Sequence, residues 1–392
     1  MLDSTFADLL EAACERFEVP AAVVGTTSVG GAREVIARGC APDTVFRIAS
    51  ITKPFTATLA LSMLAFEADV GVWPDARVRH LLAHTSGYDC ELGDLARFGD
   101  GDDALDRAVA ELPAVRRWLP PEAVWSYSNA GYWLAGWLCA RAFGGTYEDA
   151  LATLLFREAG LEATSFGEPS LAGSGIDARD DPYPRARRPS GGLVSTADDL
   201  LRFGEWELAE PRTAALREVA GKPNAGVYGL GFFGERVGGV DVWGHGGSYR
   251  GFQSSLLLVP SRDAVFVGLT NSGRGAQALR EVEDEWFERV VGERRREAPT
   301  VEVAAAELEA VAGVYANGEA RVTVRPAGGT LAATARVFDA ATGEELATYE
   351  LESRPVGPRT FEVVRGDFAR TRFDFPVDGF ARFGGRLAER VA

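Results

Sequence analysis

Apolar and polar positions along the chain fall into three regimes. The opening stretch sets Phe6, Leu9, Leu10 and Phe17 near one helical face, with Asp3, Asp8, Glu11 and Glu15 between them, which predicts an amphipathic helix. Residues 20–27 and 33–38 then read as a β-hairpin turned at Gly30 and Gly31. From Ile51 to about Arg188 the pattern is mainly helical, interrupted by loops over 87–101 and 167–189. Strand-like runs return at 228–237, 240–244, 253–259 and 265–271, each punctuated by Gly or Pro. A helix over 277–291 follows, with Leu279, Val282, Trp286 and Val290 on one face. Strands at both ends with helices inserted between them predict an α+β fold whose antiparallel sheet is closed by distant chain segments.

The third regime begins after 292–300 (GERRREAPT), a short charged run that reads as a linker. Beyond it, alternating runs at 320–325, 330–338, 348–353, 360–364 and 371–375 have the pattern of a small all-β barrel or sandwich. At 392 residues the chain exceeds one comfortable hydrophobic core. Two domains are therefore expected, residues 1–295 and residues 300–392.

Charge narrows the classes of function. The net charge of −16 removes the basic footprint that a nucleic-acid binder needs. No basic segment precedes an apolar run at the start, so the opening stretch does not read as a secretory signal. The run 59–66 is too short to span a bilayer. Cys14, Cys40, Cys90 and Cys139 are dispersed without a CxxC pair, which suits free, mostly buried thiols in a reducing compartment. A cytoplasmic protein without nucleic-acid or membrane partners is the expectation. Lysine occurs only at Lys53 and Lys222, leaving 39 arginines of the 41 basic residues. A solvated position here would almost always carry Arg, so the two lysines merit a closer look.

Lys53 lies in FRIASITKPF, three residues after Ser50, and that spacing puts both side chains on one helical face. Pro54 must fall in the first turn, which sets Ser50 at or near the helix start. The helix terminus and the apolar neighbours Phe55, Leu59 and Leu61 disfavour an ammonium and make Lys53 a candidate proton acceptor for a Ser50 nucleophile. The plain alternative is a Ser cap beside an exposed Lys. In WSYSNAGY, Tyr127 is placed to share a proton with Lys53, and Asn129 to fix Lys53 and meet a substrate amide. The alternative there is a helix start capped by Ser128 or Asn129, with Tyr127 and Tyr132 packing. In WGHGGSYRGF, the glycines after His245 suit a backbone that approaches something closely. The amides of Ser248 and Ser50 would then form an oxyanion hole, with Gly247 permitting the approach. For His245 the alternative is a satisfied histidine at a strand edge.

Together these windows give SxxK, YxN and HxG in order at Ser50–Lys53, Tyr127–Asn129 and His245–Gly247. With LLAHTSG at 81–87, SGGLVSTADDL at 190–200 and LTN at 269–271, the chain resembles the serine β-lactamase and penicillin-binding protein superfamily. The branch it resembles holds class C β-lactamases, DD-peptidases and esterases, and the likeness runs from Ala22 to about Trp286. It implies a β-lactamase/transpeptidase-like sheet flanked by helices. Ser50 would be the acyl-forming nucleophile, Lys53 and Tyr127 the acid/base pair, and His245 a neighbour of the leaving-group or carboxylate region. Which of Lys53 and Tyr127 takes the first proton stays open. Residues 300–392 resemble the lipocalin-like barrel behind some D-aminopeptidase-type relatives. His245 replaces the Lys of class C β-lactamases, which points away from good lactamase activity.

The expected function is thus a serine hydrolase working through a Ser50 acyl-enzyme on a peptide or amide, including D-residue substrates, or on a small ester. The alternatives are a weak β-lactamase or DD-carboxypeptidase and, in another class, an inactive ligand-binding or sensor module on the same fold. No metal or other cofactor is expected. His80 and His84 have i, i+4 spacing but no HExxH glutamate between them, and no GxSxG or phosphate loop occurs. The partner is a small-molecule or peptide substrate, and a homo-oligomer is left open.

Overall fold

The N-terminal hairpin forms because Ala22–Ser28 (β1) is almost wholly buried and Glu34–Arg38 (β2) pairs with it antiparallel as an edge strand. The computed structural model describes residues 2–89, 91–173, 182–338, 342–366 and 368–392. A two-residue ladder joins Phe46–Arg47 (β3) to Val194–Ser195 (β4). The late strands are Val227–Tyr228 (β5), Phe233–Val237 (β6), Val240–Tyr249 (β7), Phe252–Val259 (β8) and Ala264–Thr270 (β9). Among the described residues, seven strands make one antiparallel sheet in the order β2-β1-β9-β8-β7-β6-β5. The first hairpin therefore joins the sheet through the pairing of β1 with β9, the closure by distant segments that the sequence predicts.

The sheet separates two apolar layers. On one face the helices Ser4–Arg16 and Gly275–Val291 pack Phe6, Leu10, Trp286 and Phe287 against Val24, Val259 and Phe266. On the other lies the larger core, built around the helices Thr52–Met63 and Asn129–Phe143. Strand β9 is buried at every position, as expected of a strand covered on both faces. The helix Thr52–Met63 is buried continuously from Thr52 to Ala60, so it lies inside the molecule and not on its surface.

Two details differ from the sequence reading. The run 228–237 is two strands, because residues 229–232 turn back, with the Gly229 amide donating to the Phe232 carbonyl at 2.8 Å. Strand β7 continues past Gly244 to Tyr249, since its pairing with β8 holds both glycines of HGG in the ladder. The expected loop over 167–189 lies partly outside the described residues, as does Cys90. Cys14 and Cys139 are buried free thiols and Cys40 is half-buried.

After a short helix, Ala305–Val311, the chain closes a barrel of eight strands: Gly313–Ala316 (β10), Ala320–Ala327 (β11), Thr330–Phe338 (β12), Glu345–Gly357 (β13), Thr360–Val363 (β14), Arg372–Asp374 (β15), Phe380–Phe383 (β16) and Arg386–Arg390 (β17). Pairing of β10 with β17 closes it. Its core stacks Phe361, Phe373, Phe375 and Tyr315. Strands β10, β16 and β17 escape a pattern reading because they are short and carry little alternation. Among the described residues no helix is long and apolar enough to cross a membrane.

Candidate active site

Ser50 sits in a single 3-10 turn, Ala49–Ile51, that runs directly into the helix Thr52–Met63. Ala49 holds φ +45°, a conformation that L-residues adopt at a cost and that concentrates at functional sites. The turn is anchored on both sides. The Ile48 amide donates to the Leu193 carbonyl at 3.1 Å, and Ser254 Oγ of β8 donates to the Ile48 carbonyl at 2.8 Å. Pro54 falls in the first helical turn, as its missing amide requires.

One helical turn on, Lys53 is 0% exposed. Its Nζ lies 3.1 Å from Ser50 Oγ, 2.8 Å from Asn129 Oδ1 and 2.7 Å from the Ser190 carbonyl. Burial, then repulsion from Arg386 and Arg187, hold its pKa well below the ordinary lysine value, while Glu91 opposes them. A neutral amine has two N–H donors and one lone pair. Asn129 Oδ1 and the Ser190 carbonyl can only accept, so they take the two donors and leave the lone pair for the Ser50 hydroxyl.

The Asn129 orientation that this needs is itself fixed. Asn129 Nδ2 donates to Glu91, which turns Oδ1 toward Lys53. Asn129 opens the helix Asn129–Phe143, whose N-cap is Ser128, with Oγ accepting from the Gly131 amide. Ser128 thus caps the helix, while the adjacent Asn129 contacts Lys53.

Tyr127 Oη donates to Ser50 Oγ at 2.9 Å. Burial drives its pKa above that of an ordinary phenol, so it stays protonated across the neutral range. Its ring packs on His84 at a centroid distance of 4.3 Å, and Lys53 Nζ lies 4.7 Å from its centroid. His84 Nδ1 accepts from the Ser128 amide at 3.0 Å, and burial keeps the imidazole neutral. This places the LLAHTSG segment directly behind Tyr127.

His245, on β7, is 4% exposed, and burial followed by the nearby Lys53 lowers its pKa to about 3. It is a neutral imidazole at physiological pH. Nδ1 lies 2.6 Å from the Gly246 carbonyl and so carries the proton. Nε2 is then an acceptor, buried and without a hydrogen-bond partner among the described residues. A cationic anchor for a carboxylate is therefore not what this position supplies.

The two-residue turn Arg250–Gly251, with φ +46° and +80°, sets the register of β7 on β8. In that register Tyr249, Gly247 and His245 exchange bonds with β8, and the amides of Gly246 and Ser248 face the opposite edge. Strand β6 covers that edge only as far as Gly244. The Ser248 amide is left open beside the Ser50 turn, because Gly247 lets β7 approach so closely that a Cβ there would stand 2.2 Å from the Ile48 carbonyl.

The sequence windows thus converge: Ser50, Lys53, Tyr127 and Asn129 are hydrogen-bonded together, the His245 ring lies 6.2 Å from that of Tyr127, and β7 brings Gly247 and Ser248 alongside the Ser50 turn. Four other participants carry no motif signal of their own. These are the Ser190 carbonyl, Glu91, Arg187 and Arg386. Only Ser190 lies in a segment that the sequence singles out.

An antiparallel sheet backed by helices, with Ser50 and Tyr127 gathered around buried Lys53 at the foot of its inner helix, is an arrangement of the β-lactamase type. The chain belongs to the Beta-lactamase family, whose profile matches residues 18–290. It is 30% identical over 325 residues to penicillin-binding protein 4 of Amycolatopsis lactamdurans, covering 70% of this chain and 84% of that one. The structure of a D-stereospecific amidohydrolase from Streptomyces sp. is 25% identical, covering 70% of this chain and 97% of that one, with a TM-score of 0.58. The structure of SurE with D-Leu superposes with a TM-score of 0.77 at 20% identity over 99% of both chains, a likeness of fold that includes the barrel. Relatives in this family are serine hydrolases of the β-lactamase, penicillin-binding protein, esterase and D-aminopeptidase types.

Proposed function

We propose that residues 1–295 are a serine hydrolase domain, joined to a barrel domain at 300–392, and that Ser50 carries the acyl group during turnover. The preferred acyl donor is a peptide or amide with a D-residue, followed by small esters. The observation that carries the reading is the bonding of Lys53, whose fixed acceptors reserve its lone pair for Ser50. Lys53 Nζ takes the hydroxyl proton as Ser50 Oγ bonds to the substrate carbonyl carbon. The oxygen of that carbonyl gains the negative charge and is received by the amides of Ser50 and Ser248. Tyr127, protonated throughout the neutral range, passes its proton to the departing amine or alcohol and is reprotonated from Lys53. Water then attacks the Ser50 ester by the reverse sequence, releasing the acid.

The amide preference draws on relatives described as a D-stereospecific amidohydrolase and a D-aminopeptidase. The neutral His245 adds to it, because it offers no cation for the carboxylate of a β-lactam. The test is labelling with a fluorophosphonate, adduct mapping, and a panel of D-aminoacyl p-nitroanilides, p-nitrophenyl esters and nitrocefin. We expect an adduct on Ser50, loss of labelling in Ser50→Ala, and turnover of the nitroanilides above nitrocefin. Labelling that survives Ser50→Ala, or silence on the whole panel, would overturn it.

A further inference from the structure

The segment that carries Tyr127 is held from two sides, and one of them is the barrel. On one side His84 accepts from the Ser126 amide through its carbonyl, at 2.9 Å, and from the Ser128 amide through Nδ1. On the other side the β16–β17 hairpin grips three consecutive residues. Arg382 Nη1 donates to the Trp125 carbonyl at 2.8 Å, the Leu387 amide donates to Ser126 Oγ at 3.1 Å, and the Tyr127 amide donates to the Gly385 carbonyl at 2.9 Å. Arg382 is buried and held by Asp374, so this grip is rigid. Gly385 sits at the tip with φ +81°, and a Cβ there would come within 3.2–3.5 Å of Trp125 and Tyr127.

The same tip delivers a charge. The Arg386 guanidinium carbon lies 5.4 Å from the Tyr127 ring centroid, within cation–π range. Arg386 pairs with Glu319 of the barrel at 3.3 Å and reaches Glu91 at 3.9 Å. Glu91 takes the Asn129 amide, and Asn129 takes Lys53. One guanidinium thus touches the proton donor directly and reaches the proton acceptor through two side chains.

We propose that Arg386 is a positioning residue for the Ser50–Lys53–Tyr127 centre, so that the barrel completes the catalytic machinery. Arg386 presses Tyr127 into its place against Ser50 and, with Arg187, clamps Glu91 so that Asn129 presents its oxygen to Lys53. Its charge also disfavours the ammonium form of Lys53. The other charged and titratable groups around that amine are Arg187, Glu91, Tyr127, Tyr132, His84 and His245. The proposal rests on the hydrolase reading for its kinetic consequences, and its electrostatic part can be read without any turnover.

Because lysine occurs only at Lys53 and Lys222, selective 13Cε-lysine labelling gives a spectrum of two signals. Lys222 is exposed and serves as the internal reference. In the full chain, Arg386→Gln is expected to raise the Lys53 titration midpoint while Lys222 stays put. Arg386→Lys, which keeps the charge, returns Lys53 toward its original midpoint. The rate of fluorophosphonate labelling falls by about tenfold to a hundredfold in Arg386→Gln, the range for misplacing a reacting group. Glu319→Gln, which frees Arg386 from the barrel side only, falls in the same direction by less. An unmoved Lys53 midpoint in Arg386→Gln, with melting temperature and circular dichroism intact, overturns the proposal. So does a rate loss that Arg386→Lys leaves unrescued while the midpoint stays fixed. A parent protein that never labels at Ser50 instead sinks the hydrolase reading, and the lysine titration still decides the role of Arg386.

Discussion

Lys53 Nζ stands 3.1 Å from Ser50 Oγ, while its other two neighbours, Asn129 Oδ1 and the Ser190 carbonyl, can only accept. In the proposed mechanism this one-lone-pair geometry casts Lys53 as the proton acceptor, a role intolerant of a permanent cation. Lys53→Arg keeps much of the length but fixes a positive charge there, and a guanidinium cannot deprotonate a hydroxyl. Labelling of Ser50 by fluorophosphonate should fall by at least about a hundredfold. Undiminished labelling would remove Lys53 from the mechanism.

The pH dependence follows with its sign. The folded-state pKa of Lys53 is depressed, so the reactive neutral amine is present above that lowered value and is lost as pH falls through it. Tyr127 is raised, so its donor form persists across the neutral range and fails only at strongly alkaline pH. A profile of kcat/KM against pH should therefore rise from acid to a broad plateau. His245 titrates at about 3 and adds no limb near neutrality. A limb near 6.5 that disappears in His245→Gln would contradict a neutral His245 imidazole.

Tyr127 separates shape from chemistry. Its ring packs on His84 and under Arg386, while its hydroxyl donates to Ser50. Tyr127→Phe keeps the packing and removes the proton donor. Turnover of amide substrates, whose leaving group needs a proton, should drop by roughly 10²–10⁴-fold. p-Nitrophenyl esters leave as stable anions and should lose less. Equal losses on both substrate types would argue against Tyr127 as the donor to the leaving group.

Gly247 tests the oxyanion site. A methyl group there would collide with the Ile48 carbonyl at 2.2 Å and Ser254 Oγ at 2.3 Å, so β7 must move away from the Ser50 turn. Gly247→Ala should cost about 10²–10³-fold in kcat through the displaced Ser248 amide. Overpacking should cost about 1–3 kcal/mol in stability, read from denaturant titration. Gly246→Ala is the control, because a Cβ there meets only the Ser254 carbonyl at 3.6 Å. Similar behaviour of the two variants would refute the close-approach argument.

Much of this site was readable from residue order because its parts are local. Ser50 and Lys53 meet through helix geometry, and the glycines after His245 announce a close backbone contact. The antiparallel sheet was readable too, since Leu256 to Val259 of β8 and Ala264 to Val267 of β9 are apolar runs separated by a turn. What escaped depends on contacts across the chain. Glu91 and Arg386 lie 295 residues apart in number, and nothing in either neighbourhood marks them as partners. The barrel strands β10, β16 and β17 are too short to show a period, and their pairing is decided by closure. The lysine scarcity was the most useful compositional clue: Lys53 is buried against Ser50, whereas exposed Lys222 offers its backbone carbonyl to Arg382.

Glu207 gives a prediction about stability apart from turnover. It is fully buried behind the Ser50 helix, accepts from Thr58 of that helix, and pairs with Arg217 at 3.0 Å. Burial raises its pKa from 4.5 to about 7, more than Thr58 and Arg217 lower it. Burial likewise lowers the pKa of Arg217, so both partners register the cost of a charge withdrawn from water. The sign follows from the raised folded value. The protonated acid is favoured in the folded state, and that contribution is full below about 4.5 and is lost as pH rises through about 7. The shift corresponds to stability on the order of 3 kcal/mol across that window. Glu207→Gln cannot titrate, and the cost of leaving Arg217 without its carboxylate is nearly constant with pH. Unfolding free energies from urea titrations at pH 5 and pH 8 should therefore converge between parent and variant as pH rises. A difference that stays fixed from pH 5 to 8 would show that Glu207 does not titrate in this window.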